Sequence, residues 1–128
     1  YQLMQVLAAV QPPQQTLIVV TKLSATRPTE KAETLADELA AVADTPIRIT
    51  VNWGRSVVET HDPDTPRRHV AALVAAGRLG GLMFSGAGPD ATVYGPAWAD
   101  AHIPLAPDEP TSWLTAARVA ACVAAALR

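Results

Sequence analysis

The chain has 128 residues, a formal net charge of −2 at pH 7, 49% hydrophobic residues and 17% charged residues. This composition is typical of one folded globular domain, and the balanced charge without a basic run predicts no nucleic-acid partner. No apolar stretch reaches the length of a membrane span, so we expect no membrane partner and a cytoplasmic location.

Three apolar segments predict three strands, because each is followed by polar or glycine-rich residues and then by a helix-like segment. The strands are predicted at Thr16–Lys22, Ile47–Gly54 and Gly81–Gly88. Strand–helix alternation at roughly 30 residues per unit is typical of parallel strands with right-handed crossovers. Sites in such folds lie at the carboxyl ends of the strands, so function is sought at Lys22, at residues 52–56 and at residues 85–88.

The spacing of apolar residues predicts four helices, at Tyr1–Val10, Thr29–Ala43, Thr65–Ala76 and Thr111–Leu127. Thr29 and Thr65 are the predicted N-caps of the second and third helices. On the last helix, four residues are expected on the apolar face: Leu114, Val119, Val123 and Leu127. The lone Cys122 excludes an internal disulfide framework and is expected to be a small buried hydrophobe.

A long irregular segment separates the last predicted strand from the last helix. It runs from Pro89 to Pro110 and contains the aromatic residues Tyr94 and Trp98. Loops of this length in a compact domain are often functional, so we expect Tyr94 and Trp98 to pack over the strand ends.

The second predicted strand distinguishes two α/β architectures. Ile49 and Val51 fall on one face, and Arg48 and Thr50 fall on the other. An open doubly wound sheet needs two apolar faces, whereas the interior of a β/α barrel tolerates polar groups near the site. We therefore predict a single α/β domain, residues 1–128, of parallel β/α units that form about half of a (β/α)8 TIM barrel, with an open sheet as the alternative.

Four runs stand in a fixed order along the chain: NWGRSVVE (Asn52–Glu59), GGLMFSGAG (Gly80–Gly88), YGPAWADAHIP (Tyr94–Pro104) and SWLTAARVAA (Ser112–Ala121). Together they resemble the C-terminal half of an uncharacterised bacterial family whose members are similar to xylose-isomerase-like TIM barrels. The resemblance spans Ile47–Arg128 and implies a sugar isomerase or epimerase relative. With the start at Tyr1 rather than Met, it predicts a fragment whose partner is an N-terminal half-barrel chain or a second copy of itself.

The sequence departs from the metal-dependent members of that superfamily, which place Glu, Asp and His ligands at strand ends. Here the strand ends offer Lys22, Asn52 and Ser85, none of which is a strong ligand for a divalent cation. The acidic run at residues 59–64 precedes a helix, where capping is expected. We predict no cofactor and no metal ligands in this chain. Ligands from the rest of a longer protein would still allow a divalent metal ion.

The polar and glycine residues after the second and third strands are predicted to bind the ligand: Asn52, Trp53, Arg55, Ser85, Gly86 and Gly88. Asn donates and accepts hydrogen bonds, Arg offers a planar fork to an anion, and Trp offers an apolar platform. Glycine lets backbone N–H groups approach a phosphate. The expected ligand is therefore a small anionic or sugar-like molecule. The alternatives are structural: Trp53 lies in the core, Arg55 forms a surface ion pair, and residues 85–88 form a glycine-rich turn that binds no ligand.

Three residues are predicted to be catalytic: Lys22, Asp100 and His102. A lysine in a barrel mouth can be a Schiff-base nucleophile if burial lowers its pKa. Asp100 and His102 point the same way if their loop is extended, so Asp100 could orient the imidazole as in general-base pairs. Two functions stay open, a sugar or sugar-phosphate isomerase or epimerase, and a non-catalytic α/β domain that binds small molecules, anions or proteins.

Overall fold

A computed structural model describes residues 19–21 and 34–128, in which strands and helices alternate as an α/β fold. The elements are β1 (Val19–Thr21), α1 (Leu35–Val42), β2 (Arg48–Asn52), α2 (Trp53–Thr60), α3 (Thr65–Ala75), β3 (Leu79–Met83) and α4 (Ala116–Ala126). The predicted helix Tyr1–Val10 and the predicted catalytic residue Lys22 lie outside the described residues.

The three strands form one sheet in the order β1-β2-β3, and both neighbouring pairs are parallel. The predicted parallel arrangement is therefore confirmed. Asn52, the last residue of β2, is in register with Met83, the last residue of β3. The prediction extended β3 to Gly88, but the chain leaves the sheet after Met83 because Gly86 pairs with Ile103 in an antiparallel bridge.

The two faces of β2 differ as the alternation of the sequence predicts. Ile49 and Val51 are buried in the hydrophobic core beneath the helices. On the opposite face Arg48 is exposed, and its guanidinium Nη1 donates a hydrogen bond to the Leu79 carbonyl at 3.3 Å. The described core thus lies on the apolar face of the sheet, and the polar face grades from exposed Arg48 to buried Asn52 at the end of β2.

Helix α1 begins later than the sequence predicted, because Thr34 rather than Thr29 is its N-cap. The Thr34 hydroxyl accepts a hydrogen bond from the Asp37 N–H, and the Asp37 carboxylate accepts one from the Thr34 N–H, each at 3.2 Å. This reciprocal capping box satisfies two backbone donors that a helix terminus otherwise leaves without partners. Leu35 and Val42 then bury one side of the helix in the core.

Helix α2 follows β2 without a connecting loop, and the sequence analysis missed it. It buries Trp53, Ser56 and Val57 on one side and ends at His61, whose φ of 56° lies in the left-handed region. The predicted strand ran to Gly54 and so included the first two residues of this helix, and the residues after it were assigned to the loop before the next helix.

Helix α3 begins at Thr65, one residue earlier than predicted, and Asp64 occupies the N-cap position. It ends before Gly77, whose φ of 67° lies in the left-handed region, and the Arg78 N–H donates to the Leu73 carbonyl at 2.8 Å. The Arg78 guanidinium donates hydrogen bonds to the carbonyls of Ala43, Thr45 and Ile47. This side chain joins the residue before β3 to the segment that leads into β2. It satisfies carbonyl groups of an irregular segment that would otherwise lack partners.

Helix α4 starts at Ala116, after the N-cap Thr115, and its buried face differs in part from the predicted one. Cys122 and Ala125 face the core, whereas Val123 and Leu127 are exposed, so the prediction was wrong for these two residues. Leu114, predicted on the same face, is buried in the core, and Val119 is packed against it. An alanine-rich helix carries few large residues, and its small side chains allow it to pack against α3. The expected burial of Cys122 is confirmed, and that burial raises the pKa of its thiol.

In the part of the chain that the structure describes, no helix combines the length and the apolar character of a membrane span.

The packing of the core predicts that replacing two leucines by alanine lowers the free energy of unfolding by very different amounts. Leu73 of α3 is fully buried, whereas Leu127 is 82% exposed. We expect Leu73→Ala to lower the free energy of unfolding by about 2–5 kcal/mol through lost burial and a cavity. Leu127→Ala, the matched control, should change it by less than about 0.5 kcal/mol. Urea unfolding monitored by circular dichroism measures both, and equal losses would contradict the described packing of α3.

Candidate functional site

The carboxyl ends of β2 and β3 are joined by the buried side chain of Asn52. Its Oδ1 accepts a hydrogen bond from the Gly54 N–H at 3.1 Å and another from the Ser85 hydroxyl at 2.7 Å. Its Nδ2 lies 3.4 Å from Met83 Sδ, a weak acceptor. The structure thus brings together Asn52 and Ser85, two of the predicted ligand-binding residues, and gives each a defined hydrogen-bond partner inside the protein.

The glycines around this side chain allow close approach of backbone segments. A Cβ on Gly54 would lie 2.8 Å from the Ser85 carbonyl oxygen, and a Cβ on Gly86 would lie 2.6 Å from the Ile103 carbonyl oxygen. A Cβ on Gly88 would lie 2.5 Å from the Thr111 carbonyl oxygen. Real Cβ atoms do not occur at such distances, so any larger residue would force these segments apart.

The Gly86 N–H already has an acceptor, since it donates to the Ile103 carbonyl at 2.7 Å. The Gly88 carbonyl accepts the Trp98 N–H at 2.9 Å. The glycine-rich segment therefore holds the long loop in place. The use of Gly86 and Gly88 to bind a phosphate stays a prediction.

Trp53 forms the base of this region. Its side chain is 1% exposed and belongs to the hydrophobic core. The indole Nε1 has no hydrogen-bond acceptor among the described residues. The ring fixes the first turn of α2 in the core, and it presents no open face on which a sugar could stack in this structure.

Beside Trp53, a second group of predicted site residues comes together at the start of α2. Arg55 Nε lies 2.8 Å from Asp100 Oδ2, and Asp100 Oδ1 lies 3.3 Å from His102 Nε2. The side chains of Arg55 and Asp100 are 25% and 28% exposed, and that of His102 is 49% exposed. The expected proximity of Asp100 and His102 is seen, and Arg55 joins the same group.

The long loop that carries Asp100 is held by aromatic contacts. The Trp98 ring stacks on His61 with a centroid distance of 3.9 Å and an interplanar angle of 8°, and its edge meets Trp113 at 4.9 Å. Trp98 therefore packs against the protein, on His61 and Trp113, and its expected position over the strand ends stays a prediction. Tyr94 does not, because it is half-exposed at a turn in which Thr92 and Gly95 exchange backbone hydrogen bonds.

The acidic residues between α2 and α3 pair with arginines. Arg67 donates two hydrogen bonds of 2.7 Å to the Asp64 carboxylate, and Arg68 donates one of 2.9 Å to Asp62. The Arg68 guanidinium holds the pKa of Asp62 below its ordinary range, and Arg67 does the same for Asp64. Within residues 19–21 and 34–128 no three His, Cys, Asp or Glu residues are grouped as metal ligands. The expectation of no metal ligands stays a prediction.

The site also contains a polar pair that the sequence analysis did not identify. The Ser56 hydroxyl, fully buried on α2, lies 2.9 Å from His69 Nδ1 on α3. The pairing joins two helices whose register could not be predicted while α2 itself was missed. The antiparallel contact of Gly86 with Ile103 was missed for a similar reason, because no sequence pattern fixes the path of the intervening loop.

A family model described as "Domain of unknown function (DUF4862)" matches residues 9–128. A protein of Salmonella typhimurium (strain LT2), described as uncharacterized protein STM3670, is 40% identical over 92 residues. That match covers 72% of this chain and 29% of the relative, so the matched region spans less than a third of the relative's length. No solved structure matches the chain.

The contacts of the Asn52 side chain predict that replacing this residue lowers the stability of the fold. We expect Asn52→Ala to lower the free energy of unfolding by about 2–4 kcal/mol, because α2 loses its N-cap and the Ser85 hydroxyl stays buried without its acceptor. Thr34→Ala removes the exposed N-cap of α1 and should cost about 1 kcal/mol. Urea unfolding of both variants measures the difference, and a cost no larger than that of Thr34→Ala would refute the linking role of Asn52.

The paired carboxylates predict a pH dependence of stability. Folding lowers the pKa of Asp62 and Asp64, so their contribution is complete above the unfolded value of about 3.9. It is lost as the pH falls through the lower folded values. We expect Asp64→Asn to make the denaturant midpoint less sensitive to pH between about 5 and 2. Arg67→Gln should have the same effect, and unchanged pH curves for both variants would contradict the pairing.

Proposed function

We propose that this chain, which belongs to the family described as domain of unknown function DUF4862, is part of a barrel-type enzyme that isomerises or epimerises sugars or sugar phosphates. The observation that carries the proposal is the Asp100–His102 pair, at 3.3 Å, on a loop attached to the carboxyl ends of the strands. This is the end of a parallel β/α sheet at which catalytic residues collect.

The barrel is supported by the asymmetry of the sheet. Parallel strands normally have both faces covered, and here the described core lies on the face of Ile49 and Val51. The opposite face carries the exposed residues Arg48 and Met83. The matched relative is more than three times as long as the region it shares with this chain. We propose that further strands of such a longer protein close the sheet, with the polar face of β2 and β3 turned inward.

The proposed chemistry is proton transfer beside a carbonyl group. A base removes the proton from the carbon next to the carbonyl and leaves an enediolate. In isomerisation the hydroxyl proton moves to the former carbonyl oxygen and the base returns its proton to the former carbonyl carbon. In epimerisation a proton returns to the opposite side of the same carbon and the carbonyl is restored. His102 Nε2 lies 3.3 Å from Asp100 Oδ1, and we propose that Nε2–H donates a hydrogen bond to this carboxylate when the substrate is bound. Nδ1 of His102 then carries the lone pair that can accept the substrate proton.

A second function is favoured by the exposed apolar residues of the loop. Val93 and Tyr94 are exposed at the tip of the turn formed by Thr92 and Gly95, and Met83 is exposed on the polar face of the sheet. Exposed apolar residues can mark contacts with another protein. A non-catalytic domain that binds an anion or a protein is therefore the alternative proposal.

The enzyme proposal predicts exchange of sugar hydrogens with solvent. The protein is incubated in D2O with aldoses, ketoses and their phosphates, and deuterium uptake at the carbon beside the carbonyl is followed by proton NMR. We expect His102→Gln to lower the uptake rate by about 10²–10⁴-fold, the usual contribution of a general base. Asp90→Asn, which alters an exposed side chain of the same loop outside the pair, is the control and should leave the uptake rate unchanged.

The same panel separates the two proposals. If no sugar or sugar phosphate takes up deuterium with this chain or with the full-length Salmonella relative, the enzyme proposal fails. Calorimetric titration with inorganic phosphate then tests the anion-binding alternative, and binding that survives Arg55→Ala unchanged would remove Arg55 from it.

A further inference from the structure

We propose that Arg55 is a positioning residue for His102, and that it acts through Asp100 instead of contacting a ligand anion itself. The inference rests on the proposed function, in which His102 is the acid–base group. It concerns how the imidazole is held, a property that can be measured whether or not the substrate is known.

The first argument is the geometry of the Asp100 carboxylate. One oxygen lies 2.8 Å from Arg55 Nε, and the other lies 3.3 Å from His102 Nε2. A carboxylate bound through both oxygens cannot rotate without breaking one of the two contacts. Arg55 therefore fixes the plane of the group that orients the imidazole.

The second argument is that Arg55 stands on a rigid support and His102 does not. Arg55 lies in the first turn of α2, between the buried residues Gly54 and Ser56, and the Asn52 side chain caps that turn. His102 lies in an irregular loop, half-exposed, with a φ of 53° in the left-handed region. A residue other than glycine keeps this conformation only where surrounding contacts hold it.

The third argument concerns where the loop is attached. The backbone of Trp98 binds the Gly88 carbonyl on one side of the pair, and the Ile103 carbonyl binds the Gly86 N–H on the other. These attachments hold the backbone, but they do not determine the direction of the side chains between them. The Arg55–Asp100 contact supplies that direction across a sequence separation of 45 residues.

The fourth argument is energetic. Both partners are about a quarter exposed, and ion pairs near the surface contribute little to stability because water screens them. The Arg55–Asp100 pair is therefore better explained by orientation than by stabilisation of the fold. In this pair the Nε edge of the Arg55 guanidinium is bound to a carboxylate of the protein itself.

The test is NMR of the His102 ring in isotope-labelled protein. We expect Arg55→Gln to shift the ring ¹⁵N and ¹H signals of His102 most of the way to their positions in Asp100→Ala, because Asp100 loses its fixed orientation. Arg67→Gln, which breaks an Arg–Asp pair between α2 and α3, is the matched control and should leave these signals in place. Hydrogen exchange at the Gly86 and Trp98 amides should stay the same in Arg55→Gln, because backbone contacts attach the loop.

The outcomes separate this inference from the proposed function. If Asp100→Ala shifts the His102 signals and Arg55→Gln does not, Arg55 has no positioning role, and the Asp100–His102 pair stands. If Asp100→Ala also leaves them unchanged, the pair is absent in solution and the proposed function falls. Faster exchange at Gly86 or Trp98 in Arg55→Gln would show that Arg55 only holds the loop. If Arg55→Gln does not fold, Arg55→Lys replaces it, with a partial shift expected and no shift overturning the inference.

Discussion

The carboxamide of Asn52 is the contact on which the described site depends. It ends β2, caps α2 and receives the hydroxyl of Ser85 after β3, so one side chain fixes three segments relative to one another. The Asn52 side chain is fully buried, so breaking any of these hydrogen bonds would leave a buried polar group without a partner. The direction of α2, and with it the position of Arg55, follows from this contact.

From Ser85 the same constraint passes into the long loop. Gly86 follows directly, and its N–H binds the Ile103 carbonyl, next to His102. Gly86 permits this approach because it has no Cβ. A Cβ at this position would lie 2.6 Å from the Ile103 carbonyl oxygen, which is closer than van der Waals contact allows. The glycine-rich run thus has a structural task that does not need a phosphate. That alternative was open from the sequence, where a glycine turn and a phosphate loop look the same.

The sequence predicted the parts of the fold that depend on burial. Strand–helix alternation predicted the parallel sheet, and the alternation within β2 predicted which residues face the helices. It also placed Asp100 near His102, because that proximity needs only a spacing of two residues. Each of these features is encoded within one short segment.

The features that the sequence did not predict depend on packing between distant segments. The loop reaches Gly86 by a path that no local pattern describes, and α2 was missed because it follows β2 directly and its first residues were assigned to the strand. The buried face of α4 was misassigned in part because alanines on every side make its apolar stripe indistinct, and the fit against α3 selected Cys122 and Ala125. Arg55 was assigned to a ligand because its partner, 45 residues away, could not be identified.

The site combines buried supporting residues with exposed charged residues. In the proposed function this arrangement suits an imidazole that must exchange a proton with a substrate. Asn52, Trp53 and Ser85 are buried, so their contacts are costly to break and persist. Arg55, Asp100 and His102 stay within reach of water, where each charged contact contributes little free energy. In the proposed function the exposed imidazole of His102 can therefore accept a substrate proton, while the contact of Arg55 with Asp100 and the buried residues hold its position. A proton-transfer site needs both properties, because its geometry must be fixed and its acid–base group must remain accessible.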